Sequence, residues 1–203
     1  MNHAQGQLAN EALPAGHRPH VMPWWLGPLL ASPIRRLREN PERLVASFVR
    51  PGDKVLEVGP GMGFFTLPLA RGVGEQGRVV CVDVQPRMLR GLSRRLEKRG
   101  LARRVAIRQC GTDSLGIADL DGSIDLVLAI HVVHEMQAPG AAFQEMARAL
   151  RSGGRLLLLE PAGHCPERVF QAELDWAARA GLARIGDPEN VRARDHKALF
   201  EKT

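Results

Sequence analysis

A chain of 203 residues, 44% hydrophobic and 25% charged, has the size and make-up of a single globular domain. Its longest apolar run, residues 124–133, carries Asp125 and His131 and is far shorter than the ~20 residues that cross a bilayer, and the polar first residues lack the pattern of a secretory signal; no membrane span and a cytoplasmic setting are expected. The scattered Cys81, Cys110 and Cys165 exclude a disulfide framework and a C-x-x-C zinc site, and the net charge of +6 is dispersed over several arginine-rich segments, as on solvated helix faces.

Residues 1–20 hold Gly, Pro, His and Asn without apolar periodicity and read as a flexible N-terminal arm. Residues 21–49 read as a helical cap. There Met22, Trp24, Trp25 and Leu26 form a bulky stretch, broken by prolines, that could cover a pocket or lie on a sheet edge. Ser32-Pro33 is a helix-opening pair, and Pro41 interrupts that helix or opens a second, with Leu44, Val45, Phe48 and Val49 on one face. From the turn Pro51-Gly52-Asp53 onward, strand and helix patterns alternate through residues 50–203. Strands are expected at 54–58, 78–82, 104–108, 124–130 and 155–159, with two short ones at 182–185 and 198–200. Helices are expected at 64–71, 87–99, 140–150 and 167–180, closed by turns at Gly72 or Gly74, Gly100, Gly153-Gly154 and Gly181. Near-continuous apolar strands between helices argue for an α/β fold whose parallel sheet is covered on both faces.

The most informative stretch is Val55-Leu-Glu-Val-Gly-Pro-Gly-Met-Gly-Phe-Phe-Thr66. A buried strand runs into Gly59, Gly61 and Gly63, at alternate positions, and then into a helix. Such glycines allow a tight turn and let a ligand touch backbone amides at the helix start. A dinucleotide fingerprint needs its third glycine three residues after the second, where Phe64 stands, so the spacing opposes a nicotinamide dehydrogenase.

Glu57-Val-Gly-Pro-Gly-Met-Gly63 resembles the cofactor loop of the class I S-adenosylmethionine-dependent methyltransferases, and the likeness runs in the family's order over residues 51–160. Asp83 closes an apolar strand about 20 residues past the loop, where an acid can accept from both hydroxyls of a ribose. On its own such an acid is as readily a turn or cap. The segment Asp83-Val-Gln-Pro-Arg-Met-Leu89 resembles the family's second motif, which implies ribose binding by Asp83 and adenine packing by Val84. Cys110-Gly-Thr-Asp-Ser114 precedes Ser123-Ile-Asp125, which resembles the start of the family's fourth strand; this puts Asp113, flanked by Thr112 and Ser114, where the family holds the adenine amino group. Thr112 replaces the family's usual glycine, and Asp113 could equally cap a short helix. The resemblance implies a doubly wound, Rossmann-like, seven-stranded and mostly parallel sheet with an antiparallel strand near the C-terminus. It also implies S-adenosylmethionine as cofactor, held by Glu57, Gly59, Pro60, Gly61, Gly63, Asp83, Val84, Thr112, Asp113, Ser114, Ile130 and His131.

Open α/β sheets bind ligands beyond the carboxyl ends of their strands. The fourth strand ends in Ile130-His-Val-Val-His-Glu-Met136, so His131 and His134 are the candidate bases for a hydroxyl or acidic carbon; either could instead make one structural hydrogen bond. His-x-x-His-Glu does not match the spacing of zinc motifs, and no metal is expected. Glu160 and His164, after the fifth strand, face the same rim. The nucleobase-type Asn/Asp-Pro-Pro-aromatic signature is missing at residues 130–133, and little chain remains for a large substrate domain. The favoured reading is therefore transfer of a methyl group to a small-molecule acceptor, resembling the quinone- and sterol-type branch in residues 148–155. The alternatives are an RNA methyltransferase, suggested by the charge, and a non-catalytic cofactor-binding protein. An arsenic-type thiolate methyltransferase would need Cys110 and Cys165 to meet at the rim. No oligomeric state is implied.

Overall fold

The computed structural model describes Pro14, residues 22–27, 39–189, Val191 and residues 195–203. The expected arm, Pro14 apart, and the helix start at Ser32-Pro33 lie outside the described residues. Seven strands form one sheet: β1 (Lys54–Val58), β2 (Arg78–Asp83), β3 (Val105–Gln109), β4 (Ile124–Ile130), β5 (Leu150–Pro161), β6 (Leu182–Gly186) and β7 (Asp195–Lys202). Their spatial order is β3-β2-β1-β4-β5-β7-β6. The first five are parallel, and β7 is antiparallel to both β5 and β6. The order reverses between β1 and β4, which opens a crevice above their carboxyl ends.

Among the described residues five helices cover the sheet: α1 (Pro41–Ala46), α2 (Thr66–Gly72), α3 (Pro86–Lys98), α4 (Pro139–Ala149) and α5 (Glu167–Arg179). The two-residue period of the strands divides the core. Val55, Val79, Cys81, Leu126, Leu128 and Leu157 bury one face against α1, α2 and α3. Leu56, Val80, Val127, Leu156 and Phe200 bury the other against Phe143 and Met146 of α4 and Val169, Phe170 and Trp176 of α5. Pro41 opens its own helix, at the first position behind the cap Asn40, whose Oδ1 accepts from Arg43 N at 2.9 Å. Leu44 and Val45 then join the α2 side of the core.

Two expectations need correction. Gly153-Gly154 is not a turn ahead of the fifth strand: β5 begins directly at Leu150 and takes the pair in. The register with β4 shifts between Ile124 and Leu126, and Gly154 approaches so closely that a Cβ would stand 2.9 Å from Ile124 O. β7 extends well past its apolar centre at 198–200, because ladders to β5 and β6 satisfy its backbone on both edges. Cys110 follows β3 and Cys165 follows β5, four strand spacings or roughly 19 Å apart in the sheet. They do not meet.

Candidate active site

The loop after β1 occupies the crevice floor. Gly59, Gly61 and Gly63 all have positive φ, +67°, +55° and +84°. A Cβ on Gly59 would stand 2.4 Å from Val132 Cγ2, and one on Gly63 would stand 2.5 Å from Leu92 Cδ1. Gly61 differs: no atom lies within 4 Å of where its Cβ would be, so its outer surface is open to a ligand. The loop is tied to β2 from below. Gly59 N donates to Val82 O at 2.9 Å, and Gly61 N donates to Asp83 Oδ2 at 3.3 Å. Asp83 Oδ1 accepts from Gln85 N at 2.8 Å. Burial raises the Asp83 pKa, and these two amides oppose the rise. The carboxylate keeps lone pairs on both oxygens beyond those the amides use. Pro60 is buried in the loop, and Phe64 and Phe65 close it edge to face with ring centroids 5.0 Å apart.

Glu57 lies beneath this floor. The strand period turns it to the α2 side, in register with Cys81, and leaves it 4% exposed. Thr66 Oγ1 donates to its Oε2 at 2.6 Å, and the Cys81 thiol donates to the same oxygen at 3.4 Å. Burial pushes the Glu57 pKa up to about 7. Its carboxyl therefore braces the first turn of α2. Cys81, itself buried, is thus Glu57's second donor.

Beyond β3, Thr112, Asp113 and Ser114 are exposed on a loop joined to β2 by Cys110 N donating to Asp83 O at 3.1 Å. Val84 is half-buried beside Asp83. What fixes this loop escaped the sequence reading: Glu145 of α4 accepts from Leu115 N at 2.9 Å, Gly116 N at 3.0 Å and Ile117 N at 3.5 Å. An acid among the buried Ala142, Phe143 and Met146 was the available signal.

The ends of β4 and β5 form the opposite wall. Ile130 is buried as the last residue of β4, and His131 follows with a φ of +57°, a left-handed conformation that is strained for a side chain with a Cβ. Its amide donates to Leu159 O at 2.7 Å, and its Nε2 lies 3.7 Å from Asp195 Oδ2 of β7. His134 turns elsewhere. Its Nδ1 lies 2.5 Å from Oε2 of the fully buried Glu160, whose Oε1 accepts from Val133 N at 2.7 Å and His134 N at 3.3 Å. Burial lowers the His134 pKa, but the Glu160 hydrogen bond and charge, with Glu135, outweigh it and the net shift is upward. Behind Glu160 sits Glu173 of α5, fully buried, accepting the Cys165 thiol at 3.9 Å. Burial and the Glu160 charge push its pKa up to about 10, so it is neutral at pH 7. Glu173 occupies a core position in the stripe of Val169, Phe170, Trp176 and Ala177. His164 is exposed on the turn after β5.

The two histidines thus diverge, one toward β7 and one onto Glu160; among the described residues no group of three or more His, Cys, Asp or Glu is arranged to hold a metal ion. Over the crevice, Met22 bridges its two sides: Met22 N donates to Glu135 Oε2 at 3.1 Å, and Gln85 Nε2 donates to Met22 O at 2.9 Å. The neighbouring indoles do not turn inward. Trp24 is 43% exposed and Trp25 63%.

Residues 56–158, half of the chain, match the family described as Methyltransferase domain. The chain belongs to the class I S-adenosylmethionine-dependent methyltransferases. Methyltransferases of similar sequence include the ubiquinone/menaquinone biosynthesis C-methyltransferase UbiE of Cellvibrio japonicus, 35% identical over 65% of this chain and 52% of that protein. The UbiE of Azotobacter vinelandii is 35% identical over 72% and 58%. The chain spans little more than half the length of these relatives. In fold, a SAM-dependent methyltransferase from Aquifex aeolicus superposes with a TM-score of 0.78 at 23% identity, over 90% of this chain and all of the other. That methyltransferase fold is the seven-stranded sheet described above. Among the described residues no helix is long and apolar enough to cross a membrane.

Proposed function

We propose that this methyltransferase moves a methyl group from S-adenosylmethionine to a small-molecule acceptor, with His134 as the base. The observation that carries the reading is the His134–Glu160 pair after β4 and at the end of β5, together with the open Gly61 after β1 on the other side of the strand-order reversal. When bound, the cofactor supplies a methyl group already activated on a positively charged sulfur. The site suits that group: Gly61 offers an open main-chain surface, with Gly59, Pro60 and Gly63 shaping the loop around it. Asp83 accepts the ribose hydroxyls, Val84 lines the adenine, and Thr112, Asp113 and Ser114 border its amino edge. Ile130 and His131 close the methyl end. Glu57 acts from below by holding Thr66.

A proton on Nδ1, directed at Glu160, leaves the lone pair of His134 on Nε2, 4.0 Å from Glu135 Oε1. A hydroxyl on the acceptor gives its proton to Nε2, and the electron density released makes the oxygen, or a ring carbon conjugated to it, the nucleophile. The carbon option is favoured by the UbiE relatives, which are named as C-methyltransferases. Met22, clamped between Gln85 and Glu135, limits water at the mouth. Three unpaired cysteines suit a cytoplasmic setting.

The test is transfer of labelled methyl to a panel of small phenols and quinols, separating C- from O-methyl products. Product that forms with the parent chain and falls sharply with His134→Ala supports the reading. No labelled product across the panel, or equal turnover by the variant, would overturn it.

A further inference from the structure

Outside the crevice, one surface combines features that the methyl-transfer site does not use. Helix α3 buries Met88, Leu89, Leu92 and Leu96 and turns Arg87, Arg90, Arg94 and Lys98 to solvent, a basic stripe roughly 16 Å long. In its middle Gly91 lets Met62 pack closely against the helix, a Cβ there standing 3.0 Å from Met62 Cγ, and Trp24, Met62 and the arginines line a groove of about 280 Å³. Arg95 holds the groove's floor by donating to Met62 O. The groove's far wall is the turn Trp24–Leu26. Arg87 stacks on the Trp24 ring at 4.5 Å, which fixes that indole upright at the rim. Trp25 beside it is the most exposed large hydrophobic residue among those described. The acid on this part of the helix, Glu97, accepts from Ser93 Oγ at 2.9 Å.

We propose that this surface docks the chain on an anionic lipid bilayer, with Trp24 and Trp25 entering the interface and the arginines meeting lipid phosphates. The exposed charge of this helix face is mostly basic, Arg87, Arg90, Arg94 and Lys98 against the single acid Glu97, and a bilayer of negative headgroups is its complement. The two indoles are amphipathic bodies of the kind that settle at the headgroup level. A nucleic acid fits less well: base stacking needs an open aromatic face, and Arg87 already covers one face of Trp24. The groove opens on Met62, within the glycine loop, so a docked chain holds its crevice close to the lipid surface. The proposal does not depend on the identity of the acceptor or on His134.

The test is flotation of the full chain with vesicles of phosphatidylcholine alone and with vesicles in which about a third of the lipid is phosphatidylglycerol. The chain floats with the second and not the first, and the bound fraction falls as salt is raised. Reversing two charges, Arg90→Glu with Arg94→Glu, weakens the partition by about tenfold or more. Trp25→Ala weakens it several-fold with the charge intact. Both variants keep the parent's melting temperature and its affinity for S-adenosylmethionine, which separates loss of docking from loss of fold. Equal flotation on neutral vesicles, no flotation at all, or a charge-reversed chain that floats like the parent overturns the proposal. Capture by an RNA oligonucleotide without vesicle binding also overturns it, and assigns the surface to nucleic acid instead.

Discussion

The β1–β2 end of the crevice is built from main chain with one carboxylate, whereas the β4–β5 end is built from side chains gathered from distant parts of the chain. Gly61 and Asp83 build the first end, within one loop and the next strand. His131, His134, Glu160 and Asp195 build the second, and come from β7 as well as from the β4 and β5 ends. The difference teaches where each half can change. A backbone-built floor depends on a few glycines and stays the same for one cofactor, while a side-chain wall can be rebuilt for a new acceptor without disturbing it. The two halves should therefore respond separately to substitution.

The largest separation is expected from His134→Ala. Removing a base lowers methyl transfer by roughly 10²- to 10⁴-fold, while cofactor affinity stays within about twofold; single-turnover rates beside calorimetry check this. Equal losses in both would mean that the wall and floor are one unit. Asp83→Ala should act in the opposite sense, weakening cofactor binding by about 100-fold through lost charge-assisted hydrogen bonds while leaving the His134 ring's titration, followed by NMR, unmoved.

Glu57→Gln probes the floor from beneath. A carboxyl whose pKa rises from 4.5 to about 7 on folding contributes its full stability below pH 4.5 and loses it as the pH climbs through 7. Glutamine has no such loss. The variant should match the parent at pH 4.5 and exceed it above pH 7 by up to about 3 kcal/mol, read from denaturant unfolding across that window. A smaller effect is expected at the loop after β3: Glu145→Ala releases three amides and should weaken cofactor binding about tenfold, with the transfer step on bound cofactor unchanged.

The same contrast explains what could be read in the sequence. The β1 and β4 bounds, 54–58 and 124–130, and the glycine loop were legible because periodicity and positive φ restrict residue choice locally. The parallel core followed from the apolar strands. The ends of β5 and β7 were not legible, since ladders formed with distant strands extended them over polar residues and a glycine pair. Hydrophobicity alone left Trp24 and Trp25 either covering a pocket or lying on a sheet edge, but an arginine on α3 offers the first of them a partner on the surface. Glu160 was legible at the rim from its place after the fifth strand, whereas Asp195 carried no mark of meeting His131, because the fold joins positions far apart in the chain. Glu145 and Glu173 did leave a trace, as acids set in otherwise apolar helix stripes.

The central claim is that the glycine floor and the carboxylate beside it accept an adenosyl sulfonium and not a pyrophosphate. Calorimetric titration of the full chain with S-adenosylmethionine, and in parallel with NAD, tests it most directly. One saturable site is expected for the first compound and no heat of binding for the second. Saturable binding of NAD, or failure of S-adenosylmethionine to bind a folded chain, would contradict it.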